Sequence, residues 1–320
     1  FIFILPFLDS LLFIYFIVFI INIARSIFEP TSIVYMTKLI PKTNRQRFNA
    51  MRNFINSCGF ILGPSIAGFL FIIGSPNLAI QINSFALFFS VIIILFLPNV
   101  EFGSEDRIYE KIKPSLMVND WRIILKFNKT NKHITLVYIL FSGMSVCMSA
   151  LDSLEAAFAT EVLFLSESTY GFLVSIAGAG IIGGSLVNTI FANQLKINIL
   201  MGLGAFFTPI GYLIFAFSND FIWASIGFFV LTFSLSFANT GFLTFYQNNV
   251  PVDIMGRFSS VLGMLEAGLI IICTALIGLS AELFDIRPVY FMGSFIFFLL
   301  GLLINLVISD HSKRSYYIQV

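Results

Sequence analysis

Nine runs of apolar sequence, each long enough to cross a bilayer as a helix, follow one another between short clusters of charged and turn residues. A hydrocarbon core of about 30 Å takes roughly 20 residues per helical crossing. The runs lie near residues 11–37, 54–73, 78–97, 134–155, 170–192, 198–217, 221–246, 259–281 and 288–308, and a tenth, 1–8, begins in mid-helix. Lipid offers no partner to backbone N–H and C=O groups, so the pattern predicts an all-α integral membrane bundle. Composition removes the soluble alternative. The chain is 58% hydrophobic and 11% charged, with mean hydropathy +0.94, and no soluble core could hide that much apolar surface.

The same runs exclude several function classes. The start, Phe1-Ile2-Phe3-Ile4-Leu5, has neither the basic residues nor the cleavage site of a signal peptide. Cys58, Cys147 and Cys273 each fall alone in a span, which predicts packing roles and neither a disulfide framework nor a metal site. His133 and His311 lie outside the spans, so a membrane-embedded enzyme lacks the clustered acid–base or metal-binding groups it would need, and no cofactor is expected. The glycine run at 178–184 matches a dinucleotide fingerprint as a string, but it sits inside a span and predicts close helix packing.

Positive charge accumulates on cytoplasmic loops, and alternate loops here separate by sign. Lys38, Lys42, Arg45, Arg47 and Arg52 fall in one loop, and Arg107, Lys111, Lys113, Arg122, Lys126, Lys129 and Lys132 in a later one. Lys196, Arg257, Lys313 and Arg314 share that side, giving 16 of the 18 basic residues and a cytoplasmic C-terminus. Asp9, Glu161, Glu167, Asp220, Glu282 and Asp285 fall on the other side. The basic residues read as topology determinants, with no nucleic-acid partner. Residues 98–133 read as a cytoplasmic linker whose Trp121, Ile124 and Leu125 share one face of a short amphipathic helix over 116–127.

An offset of 210 residues aligns Pro41 with Pro251, Arg47 with Arg257, Phe48 with Phe258, Ser26 with Ser236 and Gly68 with Gly278. Each copy joins two spans across a cytoplasmic turn, so the repeat is parallel, as in one class of secondary transporters. The offset places about 80 residues upstream of position 1, holding the spans that would restore twelve. The expected organisation is 1–97 as the remnant of a first six-helix half, 98–133 as linker, 134–308 as the second half and 309–320 as a cytoplasmic tail.

Several motifs now coincide. They are Phe28-Glu29-Pro30, Ile40-Pro41 followed by Arg47 to Asn53, Gly63-Pro64 with Gly68, Thr169-Tyr170-Gly171-Phe172, and Pro251 with Gly256-Arg257-Phe258-Ser259-Ser260. Their order and spacing resemble the major facilitator superfamily along essentially the whole chain, particularly the bacterial drug-efflux branch that includes macrolide exporters. The family's loop motif between the second and third helices would precede residue 1, and its later echo is reduced to Asn193-Gln194-Leu195-Lys196. The resemblance implies a monomeric transporter in the bacterial cell membrane, exchanging protons for small amphipathic molecules. An importer, a siderophore or peptide exporter of the same fold, and an inactive truncated remnant are the alternatives.

Ionisable groups inside spans mark functional positions. Arg25 and Glu29, one helical turn apart, form an ion pair that would offset the cost of burying both. The resemblance associates a fourth-span arginine with proton coupling. Pro30 frees the carbonyl of Ser26 nearby. Glu266, isolated about two turns into its span, could alternate between protonated and charged states; structural roles remain open for it and for the pair. Its repeat counterpart is Asn56, a substrate-path candidate with Asp152, Glu155 and Asn239. Asp152 and Glu155 could also mark the outer boundary of the membrane. Gly59, Gly63, Pro64 and Gly68 form a small-residue stripe expected to admit a neighbouring helix, and the resemblance ties the Gly-Pro pair to export.

Overall fold

The computed structural model describes residues 2–7, 10–73, 76–100, 114–192 and 194–318. All regular structure among them is helical. The ten α-helices are α1 (Leu11–Leu39), α2 (Arg45–Ile73), α3 (Pro76–Leu95), α4 (Pro114–Thr130), α5 (Lys132–Ala157), α6 (Glu167–Ile190), α7 (Ile197–Phe217), α8 (Phe221–Asn249), α9 (Val252–Phe284) and α10 (Ile286–Ile308). Eight helices among the described residues are long and apolar enough to cross a membrane. Residues Ile2–Phe7, expected in mid-helix, form a separate 3-10 turn containing Pro6, whose missing N–H suits a helix end better than an interior. Asp9, Arg107, Lys111, Lys113 and Asn193 lie outside the described residues.

The repeat reappears in the element boundaries. Helices α1 and α8 begin 210 residues apart and also end 210 apart, and α3 and α10 begin at the same offset. Pro41 (φ −56°, ψ 147°) and Pro251 (φ −58°, ψ 135°) share one extended conformation at the entrance to corresponding helices.

The chain divides into two compact units, one comprising Phe1–Leu39 and Gly59–Lys113, the other Ile40–Cys58 and Pro114–Val320. The first half of α2 belongs to the second unit, where it is hydrogen-bonded to α8 and to the turn after α6. In the first unit, Tyr35 donates to the Pro98 carbonyl at 2.8 Å, and α1 buries only Ile17 and Thr37. Pro30 does not interrupt α1.

In the second unit α7 and α8 interlock most closely. A Cβ at Gly204 would collide with the backbone of Ala238, and one at Gly211 with that of Leu231, so only glycine permits the two helices to approach as they do. The run at 178–184 packs as its composition predicts, with Gly180 and Gly184 of α6 against α8. Gly59 and Gly63 do not behave this way. Nothing described lies within 4 Å of a Cβ built at either, so the expected helix contact is absent there; the side chains at Pro64 and Gly68 lie outside the described residues. Across the bundle, Phe158, Tyr212, Phe215, Tyr290 and Phe297 are fully buried and give the unit a solid aromatic centre.

Helix α4 lies within the expected linker. It packs on α9 through Phe127 against Phe258 (centroids 5.6 Å) and an Asp120–Arg257 ion pair at 3.2 Å. On the expected amphipathic face, Ile124 is buried, Trp121 half-buried and Leu125 exposed.

Candidate functional site

Two polar clusters and one apolar cavity stand out in the second unit. The first cluster runs along the start of α2. Arg45, Asn49 and Asn53, four residues apart, occupy one helical face. Arg45 donates to the carbonyl of Gln247 (2.6 Å) and to Asn248 Oδ1 (3.0 Å). Burial pulls its guanidinium below the usual value, and these acceptors hold it in place. Asn49 donates to Thr244 Oγ1 (2.9 Å) and Gln247 Oε1 (2.8 Å), and Asn53 to Thr240 Oγ1 (2.9 Å). Gln46 donates to the carbonyls of Ala192 and Leu195, past the end of α6. Thr240 Oγ1 also accepts from Asn188 of α6 at 3.3 Å, so one hydroxyl ties three helices. The Asn49 and Asn188 carbonyl oxygens are buried without a partner, leaving the ladder partly unsatisfied.

The second cluster lies at the far end of α5. Asp152 and Glu155 are three residues apart and share a face. Tyr212 of α7 donates to Asp152 Oδ1 at 2.5 Å, and Tyr170 of α6 to Glu155 Oε1 at 2.8 Å. A π-helical turn over Phe158–Val162 follows directly and widens α5 beside the aromatic centre. Arg287 of α10 lays its guanidinium 5.6 Å from the Phe158 ring centroid and donates to Asn219 Oδ1 at 2.9 Å.

Between α5, α9 and α10 lies a cavity of about 520 Å³ lined by Cys147, Ala150, Leu151, Cys273, Ile277 and Ser280 among others. Its size falls within the range of small-molecule sites. Cys147 and Cys273, expected to stand alone, both face it as free thiols. Among the described residues no group of three or more metal-binding side chains occurs.

The other candidates are dispersed. Arg25 and Glu29 pair at 3.0 Å, but their side chains are 74% and 59% exposed on α1, so the pair is not the buried one anticipated. Glu266 is half-buried, and Asn56 and Asn239 are exposed; none of the three makes a hydrogen bond among the described residues. Pro41 and Pro251 shape the turns before α2 and α9, Arg257 anchors α4, and Arg47 is exposed. Of the ladder residues, the sequence reading took Arg45 only as a topology determinant and Asn49 and Asn53 only as part of a motif, and it passed over Gln46, Asn188 and Thr240. The signal was the four-residue spacing of polar groups just before an apolar run.

The comparisons agree with this architecture. The family model described as Major Facilitator Superfamily matches residues 1–272. The chain belongs to that superfamily. No curated protein sequence matches it. Among solved superfamily-type transporters, the human organic anion transporter MFSD10 (TETRAN) superposes with a TM-score of 0.64 at 15% identity, covering 86% of this chain and 67% of that one. A bacterial homologue of the iron transporter ferroportin, in an outward-facing state, gives 0.57 at 17% identity, covering 87% and 66%. The chain thus spans about two thirds of either protein's length. At these identities the likeness speaks for the superfamily fold, a multi-pass helical membrane bundle. Membership in this superfamily makes the protein a secondary transporter.

Proposed function

We propose that the protein is a proton-driven exporter of amphipathic small molecules, macrolide-like compounds among them. It works by alternating access as a monomer in a bacterial cell membrane, with its C-terminus in the cytoplasm. The join of Arg45–Asn53 to α8 and to the turn after α6 carries the reading. It is made through amide, hydroxyl and carbonyl partners, whereas α7 and α8 interlock backbone against backbone. Interhelical hydrogen bonds in membranes average only ~0.6 kcal/mol. A join of this kind can part and re-form during a transport cycle, as an interlocked pair cannot.

Glu266, without an ion-pair partner among the described residues, is the leading coupling group, and Arg25 with Glu29 is the second candidate. Asp152, Glu155, Asn56 and Asn239 supply polar contacts along the substrate path. The resemblance of Gly63-Pro64 to exporters favours efflux.

The test is transport into vesicles containing the protein under an imposed pH gradient. Accumulation of a macrolide should collapse with a protonophore, and Glu266→Gln should lower gradient-driven flux by roughly tenfold or more. Flux indifferent to the protonophore would sink the proton drive. Undiminished flux in Glu266→Gln would remove that residue from coupling, and the direction of flux separates export from uptake.

A further inference from the structure

We propose that Lys196 and Arg314 hold the phosphate of an anionic phospholipid whose acyl chain runs along α7, at the end of the bundle expected to face the cytoplasm. The inference is independent of what the protein transports and names a specific lipid partner for it.

A cavity of about 450 Å³ lies where the chain passes from α6 into α7, with the 3-10 turn His311–Tyr317 on its other side. Gln194, Lys196, Asn198 and Arg314 line it together with Leu195 and Ile318, and no acidic side chain among the described residues does. The side chains of those four polar residues have neither a hydrogen bond nor an ion pair among the described residues. Two positive charges brought to one cavity repel each other, and a shared anion turns that repulsion into attraction.

The wall that carries Arg314 is fixed. Tyr317 is 4% exposed, its hydroxyl lies 2.9 Å from His133 Nε2, and its ring stacks on Phe245 at 5.2 Å. Asn249 donates to the Tyr316 carbonyl at 3.0 Å, so the turn is pinned to α5 and α8. The opposite wall is the start of α7. No side chain caps it, and its first internal hydrogen bond runs from the Leu200 N–H to the Lys196 carbonyl. The N–H groups of Ile197, Asn198 and Ile199 are therefore without a partner among the described residues, and the positive end of the helix adds to the two side-chain charges.

The rest of α7 says what the phosphate is attached to. Lys196, Leu203 and Phe207 are spaced seven and four residues apart and fall on one side of the helix. Leu203 and Phe207 are each 41% exposed and line an apolar cavity of about 310 Å³ with Phe229, Phe233 and Phe237 of α8. At a rise of 1.5 Å per residue this cavity begins about 10 Å beyond Lys196. Positive charge at the helix start with an apolar channel two turns deeper matches a headgroup phosphate followed by its acyl chain. A free phosphate would use the first cavity and leave the second idle.

The experiment is native mass spectrometry of the full chain released from detergent micelles, counting bound phosphatidylglycerol beside phosphatidylcholine of the same chain length. The wild type should favour phosphatidylglycerol, because the choline charge offsets the phosphate. Lys196→Gln and Arg314→Gln should each weaken phosphatidylglycerol binding about fivefold, and the double variant about twentyfold. Lys196→Arg and Arg314→Lys keep the charge and should stay within about twofold of wild type, so a loss in the glutamine variants reports charge and not misfolding. Lys126→Gln, on the exposed side of α4, should change nothing. Phe207→Ser should weaken lipid binding about threefold, and millimolar inorganic phosphate should not displace the lipid. Displacement by inorganic phosphate, with Phe207→Ser without effect, would reveal a free-phosphate site and overturn the lipid assignment. Equal retention of the two lipids, or undiminished binding by the double variant, would overturn the site itself.

Discussion

Thr240 shows how much one side chain can carry in this bundle. Its hydroxyl accepts from Asn53 of α2 and Asn188 of α6, so a change to valine, nearly isosteric, leaves two amide donors without that acceptor. Thr240→Val should lower stability by about 1–2 kcal/mol. The loss would appear as a reduced thermal midpoint of the detergent-solubilised protein, with Thr240→Ser close to wild type. The sequence reading stopped one residue short of this hub, at Asn239, and three residues past its partner, at Asn56. Hydropathy locates a span but not its rotation about its own axis, and rotation decides which of two neighbouring polar residues meets a partner. Asp152 and Glu155 were legible because a carboxylate in a span is conspicuous at any rotation. Tyr212 and Tyr170 were not, because a tyrosine in an aromatic-rich chain carries no such mark until the fold brings it to an acid.

Among the elements, α7 and α8 are bound by backbone proximity that glycine alone permits. Gly204→Leu forces a side chain into the Ala238 backbone and should cost at least ~2–3 kcal/mol. Its measure is the yield of monodisperse protein and the thermal midpoint, with Gly63→Leu as comparison. Among the described residues nothing lies within 4 Å of a Cβ at Gly63, and that variant should be nearly neutral. The sequence singled out Gly63, in a small-residue stripe, and passed over Gly204. They differ in whether a neighbouring helix lies against them, which is a tertiary fact. Helix α2 teaches the converse. Its first nine residues, polar enough to have been placed in a loop, are helical where α8 and the turn after α6 satisfy their side chains.

For the whole molecule, the helical type and the order of the spans were legible, since each reports the thickness of its solvent, and among the described residues eight of the nine complete runs are helices long and apolar enough to cross a membrane. The charges predict an orientation, and it can be tested directly. Ser312 lies in the 3-10 turn after α10, beside Lys313 and Arg314. There hydrogen bonding from Ser312, by its side chain first and then by its N–H at 2.9 Å, holds the Asp310 carboxyl below the usual range, and burial pushes the Tyr317 phenol up. In cells, Ser312→Cys should react with a membrane-impermeant maleimide only after permeabilisation. Labelling of intact cells would place the C-terminus outside and invert the topology. A background with Cys58, Cys147 and Cys273 changed to serine keeps the readout clean.

The equal spacing of α1 and α8, and of α3 and α10, has a consequence for how such a chain can change. Surface connections ordinarily gain and lose residues freely between relatives, yet the two copies here have kept step from the start of the first helix to the start of the third, across two helices and two turns. Side chains have diverged almost beyond recognition while the count has not. The quantity that history preserved is therefore length, and a single codon inserted in either turn would be a graver lesion than most replacements within the helices it joins.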